Sequence, residues 1–140
     1  MTKQNDKMKI LTLIIKQAYF DQILAGEKTV ETREIRPKTA GRYIFYENND
    51  TGVRYEPKDI DTAPDCANGY SFAPIDYDAI RFFVGYTPNR PECVVECKGA
   101  QIVSIVDENN EPVTYEVDGV QYYQTEIEYT LGKVLSKSNC

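Results

Sequence analysis

A single stretch of this chain repeats apolar residues at helical spacing. Tyr19, Phe20, Ile23 and Leu24 recur three and four residues apart, which puts them on one helical face. Gly26 follows at once and suits the left-handed conformation that ends helices. The start is less well marked, because Lys16 and Gln17 are poor N-caps. The remaining apolar runs are short and rich in β-branched or aromatic residues, so they read as strands. They cover Lys9 to Ile15, Lys28 to Ile35, Gly41 to Glu47, Ala79 to Tyr86, Glu92 to Lys98, Ala100 to Val106, and Gln121 to Leu135 with an interruption near Gly132. Pro37 closes the second of these, since proline has no N–H for a ladder. Asp107 to Asn110 is a turn cluster, and Asp118-Gly119 between Tyr115, Val117, Val120 and Tyr122 signals a two-residue hairpin. One helix among many short strands predicts a mainly β, α+β fold, a small β-barrel closed around a single core.

At 140 residues the chain has the length of one domain. The expected organisation is a flexible polar lead over 1–8, one domain over 9–135 and a tail over 136–140. Within the domain, 48–78 is polar and punctuated by Gly52, Pro57, Pro64, Gly69 and Pro74. So long a loop is uncommon inside a compact domain. Two readings stand for it: a disordered insertion, or a lid over a pocket. Tyr70, Phe72 and Tyr77 favour partial packing onto the body. No apolar run approaches the roughly 20 residues that cross a bilayer. The run from Ile10 to Ile15 is too short for a secretory signal and lacks a small-residue cleavage site. The expectation is therefore a cytoplasmic protein with no membrane partner.

The chain has no histidine, which removes Ser-His and Cys-His nucleophile pairs and the usual nitrogen ligands of zinc. Acid–base chemistry is left to Lys, Glu, Asp, Tyr or Cys. Cys66, Cys93, Cys97 and Cys140 include no Cys-x-x-Cys pair, so the expectation is free, buried thiols and no metal or cofactor. The net charge of −6 lacks the positive field that phosphate-driven binding needs, and this argues against a long duplex as partner.

Two constellations can carry chemistry. Lys28, Glu31, Arg33 and Glu34 lie together where the helix gives way to a strand. Lys28 can act as a base if its surroundings disfavour the ammonium, and Glu31 can carry a proton if buried. Arg33 shares a strand face with Glu31 and can hold an oxyanion bidentately. Spacing alone favours a plainer reading, alternating charges in exposed cross-strand pairs of little energetic weight. The second constellation runs from Tyr77 to Tyr86. Ile80, Phe82 and Val84 share one face and read as core, while Arg81 and Phe83 share the other. An arginine beside an aromatic ring can hold a phosphate and stack a base. No Gly-rich phosphate loop, zinc ribbon or hydrolase elbow is present.

Leu11-Thr12-Leu13 followed by Phe20-x-x-Ile23-Leu24-Ala25-Gly26-Glu27-Lys28-Thr29-x-Glu31-x-Arg33 resembles the signature of ASCH domains, members of the PUA-like superfamily. Tyr77 to Phe82 and Tyr129 to Leu135 are similar to ASCH-type proteins of gut bacteria and their phages. The resemblance implies a small barrel with a cleft beside the first helix, and an association with RNA binding and modification. Lys28, Thr29, Arg33, Arg81 and Phe83 are the ligand-binding candidates, for RNA or a nucleotide-like small molecule. One ASCH branch hydrolyses the acetyl amide of acetylated cytidine with a lysine at the position of Lys28, a threonine three residues on, and a distant glutamate. Glu31 stands at the threonine's position. The resemblance thus leaves three readings: a binding module, an amidohydrolase using Lys28 and Glu31, and an interaction protein whose contact surface is the long loop.

Overall fold

Leu11, Leu13 and Ile15 alternate with less buried neighbours along β1 (Ile10–Ile15), as a strand with one face in a core requires. The computed structural model describes residues 8–140, and the lead expected over 1–8 lies outside them except for Met8. The other elements are α1 (Gln17–Leu24), β2 (Val30–Ile35), β3 (Ile44–Asn48), β4 (Arg54–Tyr55), β5 (Tyr70–Pro74), β6 (Ala79–Val84), β7 (Glu92–Ser104), β8 (Thr114–Val117), β9 (Val120–Tyr123) and β10 (Thr125–Ser138). The expected class, mainly β with one principal N-terminal helix, is what the structure has. The largest sheet has the order β1-β6-β7-β10-β2, and among the described residues no sheet closes on itself.

The chain divides into two compact units. The first comprises the segment ending at Glu31 together with Asp76–Ala100 and Tyr129–Cys140; the second comprises Thr32–Ile75 and Gln101–Glu128.

In the first unit β1 runs parallel to β6 with Leu13 opposite Phe82, and β6 runs antiparallel to β7 with Phe82 opposite Cys93. All three side chains are fully buried, and α1 contributes Phe20 and Ile23 to the buried set. The helix ends in a Schellman motif. Gly26 has φ 77°, its N–H donates to the Ile23 carbonyl at 3.1 Å, and the Glu27 N–H donates to the Gln22 carbonyl at 2.9 Å. Lys16, the N-cap, makes no side-chain cap, as its chemistry led one to expect.

The second unit holds what the sequence presented as a long loop. Within 48–78 the chain forms β4 and β5, which flank β3 in an antiparallel sheet of order β4-β3-β5. The segment is therefore not one continuous loop, since β4 and β5 divide it. Buried Asn48 organises the turn: its side-chain carbonyl accepts the Asp50 and Thr51 N–H groups at 2.8 and 3.1 Å. Its amide donates to the Tyr70 hydroxyl at 3.2 Å. Tyr46 stands opposite both Tyr55 and Phe72, with the Tyr46 and Phe72 rings 6.0 Å apart. The turn residues were read correctly, but they punctuate a small sheet. The Asp118-Gly119 hairpin joins β8 to β9 with both residues at positive φ, 51° and 81°, the type I′ geometry.

Several strand boundaries differ from expectation: Gly41 and Arg42 lie in a 3-10 turn before β3, and the run Gln121 to Leu135 divides at Gln124 between β9 and β10. Glu92 to Lys98 and Ala100 to Val106 form one strand, β7, ending at Ser104. β10 runs unbroken through Gly132 to Ser138, so the expected tail over 136–140 begins inside a strand. Gly132 is a clearance, not a break. A Cβ there would collide with the Glu96 carboxylate, whose Oε1 accepts the Lys133 N–H at 3.3 Å.

Candidate ligand site beside the first helix

The Schellman turn fixes where Lys28 starts, since the Lys28 N–H donates to the Gln22 carbonyl at 3.1 Å, beside that of Glu27. The strand partner fixes the next residue: the Thr29 carbonyl accepts the Leu131 N–H at 2.9 Å. From this anchored backbone the Lys28 side chain meets three groups. Nζ donates to the Val30 carbonyl at 2.8 Å, lies 3.3 Å from Glu31 Oε1, and sits 5.3 Å from the centre of the Tyr19 ring. A carbonyl, a carboxylate and a ring face all attract a cation. They hold the ammonium as an oriented charge and donor.

Burial here inverts the usual order. Glu31 is 5% exposed and Val30 is 41% exposed. A buried carboxylate requires partners, and the Lys28 contact supplies one. Spacing favoured an exposed charged strand, and for Glu31 the structure corrects that reading. Tyr19 is the residue sequence reasoning missed. It was grouped with the buried helical face, yet it is 46% exposed and keeps its ring in reach of Lys28. Thr29 is exposed beside Lys28, and Arg33 is half-buried on β2 within the second unit.

Arg81 and Phe83 lie elsewhere in the first unit, on β6. Arg81 Nε is 3.1 Å from Glu92 Oε2, and the Phe83 ring carries the Arg90 guanidinium at 3.7 Å. Arg90 was also missed, because in Thr87-Pro88-Asn89-Arg90-Pro91 it reads as part of a turn.

The cysteines are free. Burial pushes the Cys93 thiol up to about 11, with Cys140 and Glu92 adding to the effect. Burial also raises Cys97, partly offset by its hydrogen bond with the Gly99 backbone. Neither is an activated nucleophile. A raised thiol value in the folded state means the unfolded chain loses its proton first. Stability is therefore expected to fall as pH rises from the ordinary 9.0 toward about 11. Urea midpoints across that window check this, and Cys93→Ala should flatten the slope. Exposed Cys140 should alkylate at once, and Cys93 only on unfolding.

Charge is unequally shared. Among the described residues the first unit contains eight Lys and Arg against seven Asp and Glu, the second six against fourteen. Their net charges are thus +1 and −8. The acidity that argued against anionic ligands belongs to the second unit, whereas Lys28, Arg81 and Arg90 belong to the first.

Searches of curated proteins and of solved structures found no match. A family profile, the ASCH domain, matches residues 13–135 and so spans both the helix-to-strand junction around Lys28 and the β6 segment. The chain belongs to the ASCH domain family, within the PUA-like superfamily.

Proposed function

We infer that this ASCH domain is a binding module for RNA or a nucleotide-like ligand, engaged beside the first helix. The observation that carries this reading is the pairing of Tyr19 with Lys28. A half-exposed ring with an ammonium 5.3 Å from its centre offers a stacking face and a charge side by side. Thr29, exposed next to Lys28, adds a hydroxyl. This unit lacks the acidity of the second, which removes the electrostatic objection to an anionic ligand.

Titration of the full chain with a short single-stranded oligoribonucleotide tests the reading. Binding is expected to weaken as salt rises, because phosphate contacts release counterions. Tyr19→Ser should reduce affinity by about tenfold, the scale of one lost stacking contact, and Lys28→Met should reduce it further. Binding that ignores both substitutions and salt defeats the proposal.

The Lys28–Glu31 contact at 3.3 Å also keeps a hydrolase reading in view, since it pairs a nitrogen with a proton-carrying carboxylate. The acetylcytidine branch uses a hydroxyl where this chain has Glu31. Incubation with acetylcytidine separates the two: the binding reading expects no cytidine. Release of cytidine that stops in Lys28→Ala would favour the hydrolase.

A further inference from the structure

The turn between β6 and β7 builds a cleft of about 320 Å³, lined among others by Phe83, Tyr86, Asn89, Arg90, Glu92 and Asn139. That volume lies at the lower end of the roughly 300–1,000 Å³ typical of ligand pockets, room for one nucleotide. Gly85 and Asn89 hold left-handed backbone at φ 75° and 61°, and Pro88 fixes a third φ between them. Arg90 is set before any ligand arrives. Its guanidinium lies on the Phe83 ring at 3.7 Å, and its Nη1 donates to the Gly85 carbonyl at 2.9 Å. Such preorganisation lowers the ordering cost of binding.

The electrostatics favour an anion. Glu92, the carboxylate in the lining, lies 3.1 Å from Arg81 Nε and is matched by that cation. The charge of Arg90 is thereby left to the cleft. Tyr86, 82% exposed, presents a bare aromatic face at the rim. The Asn139 amide donates to the Arg90 carbonyl at 3.3 Å, which leaves its own carbonyl to accept.

The geometry points to a second binding site for a nucleoside 5′-phosphate group, with its phosphate on Arg90 and its base stacked on Tyr86. The site goes beyond the Lys28 reading and does not depend on it. The ligand has two possible sources, a free mononucleotide or the 5′ end of a single-stranded RNA.

Side-chain NMR signals of Tyr86, Arg90, Tyr19 and Lys28 in the full chain can follow titration with cytidine 5′-monophosphate, cytidine, inorganic phosphate and a 5′-phosphorylated oligoribonucleotide. The monophosphate, the phosphorylated oligomer, or both should shift Tyr86 and Arg90. Response to the oligomer alone identifies RNA ends as the source. Tyr86→Ala, at a position too exposed to affect folding, should weaken binding about tenfold. Arg90→Gln should remove the preference for the monophosphate over cytidine. Shifts of Tyr86 and Arg90 by cytidine as large as those by its monophosphate overturn the inference. Shifts confined to Tyr19 and Lys28 also overturn it and leave the first site standing. Silence at all four residues defeats both.

Discussion

Lys28→Ala is expected to destabilise the folded chain by about 2–3 kcal/mol, below the roughly 3–5 kcal/mol of a fully buried pair. The loss comes from the partner left behind. Glu31 is 5% exposed and loses the cation that lies 3.3 Å from its Oε1. The Lys28 side chain is 21% exposed, so water screens part of the pair and holds the cost below the upper figure. Urea unfolding measures the change. The double variant Lys28→Ala/Glu31→Gln should recover part of it, because a neutral amide costs less to bury than a carboxylate that has lost its neighbouring cation. A single variant as stable as the parent would show that Glu31 does not rely on Lys28.

Phe82→Ala should cost more, about 3–5 kcal/mol. Phe82 is fully buried on β6 in the first unit, opposite Leu13 on one side and Cys93 on the other. Both neighbours are strand residues locked by their own ladders, so the hole has little means of collapsing. Phe72→Ala is the matched control, because Phe72 is 51% exposed and its loss should cost about 1 kcal/mol or less. Thermal unfolding of the two variants side by side checks the contrast. Similar midpoints would mean that the sheet repacks.

The contrast also shows where the sequence was legible. Of the β6 face expected in the core, Ile80 and Phe82 are buried and Val84 is half-buried, because a period of two needs only one buried face to declare itself; the run Lys9 to Ile15 was legible as a strand from its Ile and Leu content. Gly26 was legible for a local reason as well: a helix end needs a positive φ, and the next two N–H groups then find Gln22. Burial of Glu31 was not legible. Which face of β2 turns inward depends on its partner strand, about a hundred residues further on, and Val30 and Glu31 take the opposite of their usual places. The small sheet within 48–78 escaped notice because β4 is two residues long. Its stability comes from Asn48 and from cross-strand rings, which a run of turn residues conceals. Tyr19 was hidden by its own apolarity, since helical spacing does not distinguish a ring in the core from one left beside a lysine.

The pairing of β1 with β6 has a consequence for how the chain comes to be folded at all. Lys9 and Asp78, 69 residues apart, are joined by a hydrogen bond at the start of this pair. β1 sits at the edge of its sheet, and β6 is the strand beside it. During synthesis the apolar run Ile10–Ile15 must therefore wait, unpaired, while the intervening residues are made. Closing so large a loop is entropically slow. The hairpin of β8 and β9 and the sheet around β3 need only near neighbours, so they can form early. The order of assembly implied departs from the order of translation: β1, made before the other described strands, is among the last of them to find its place.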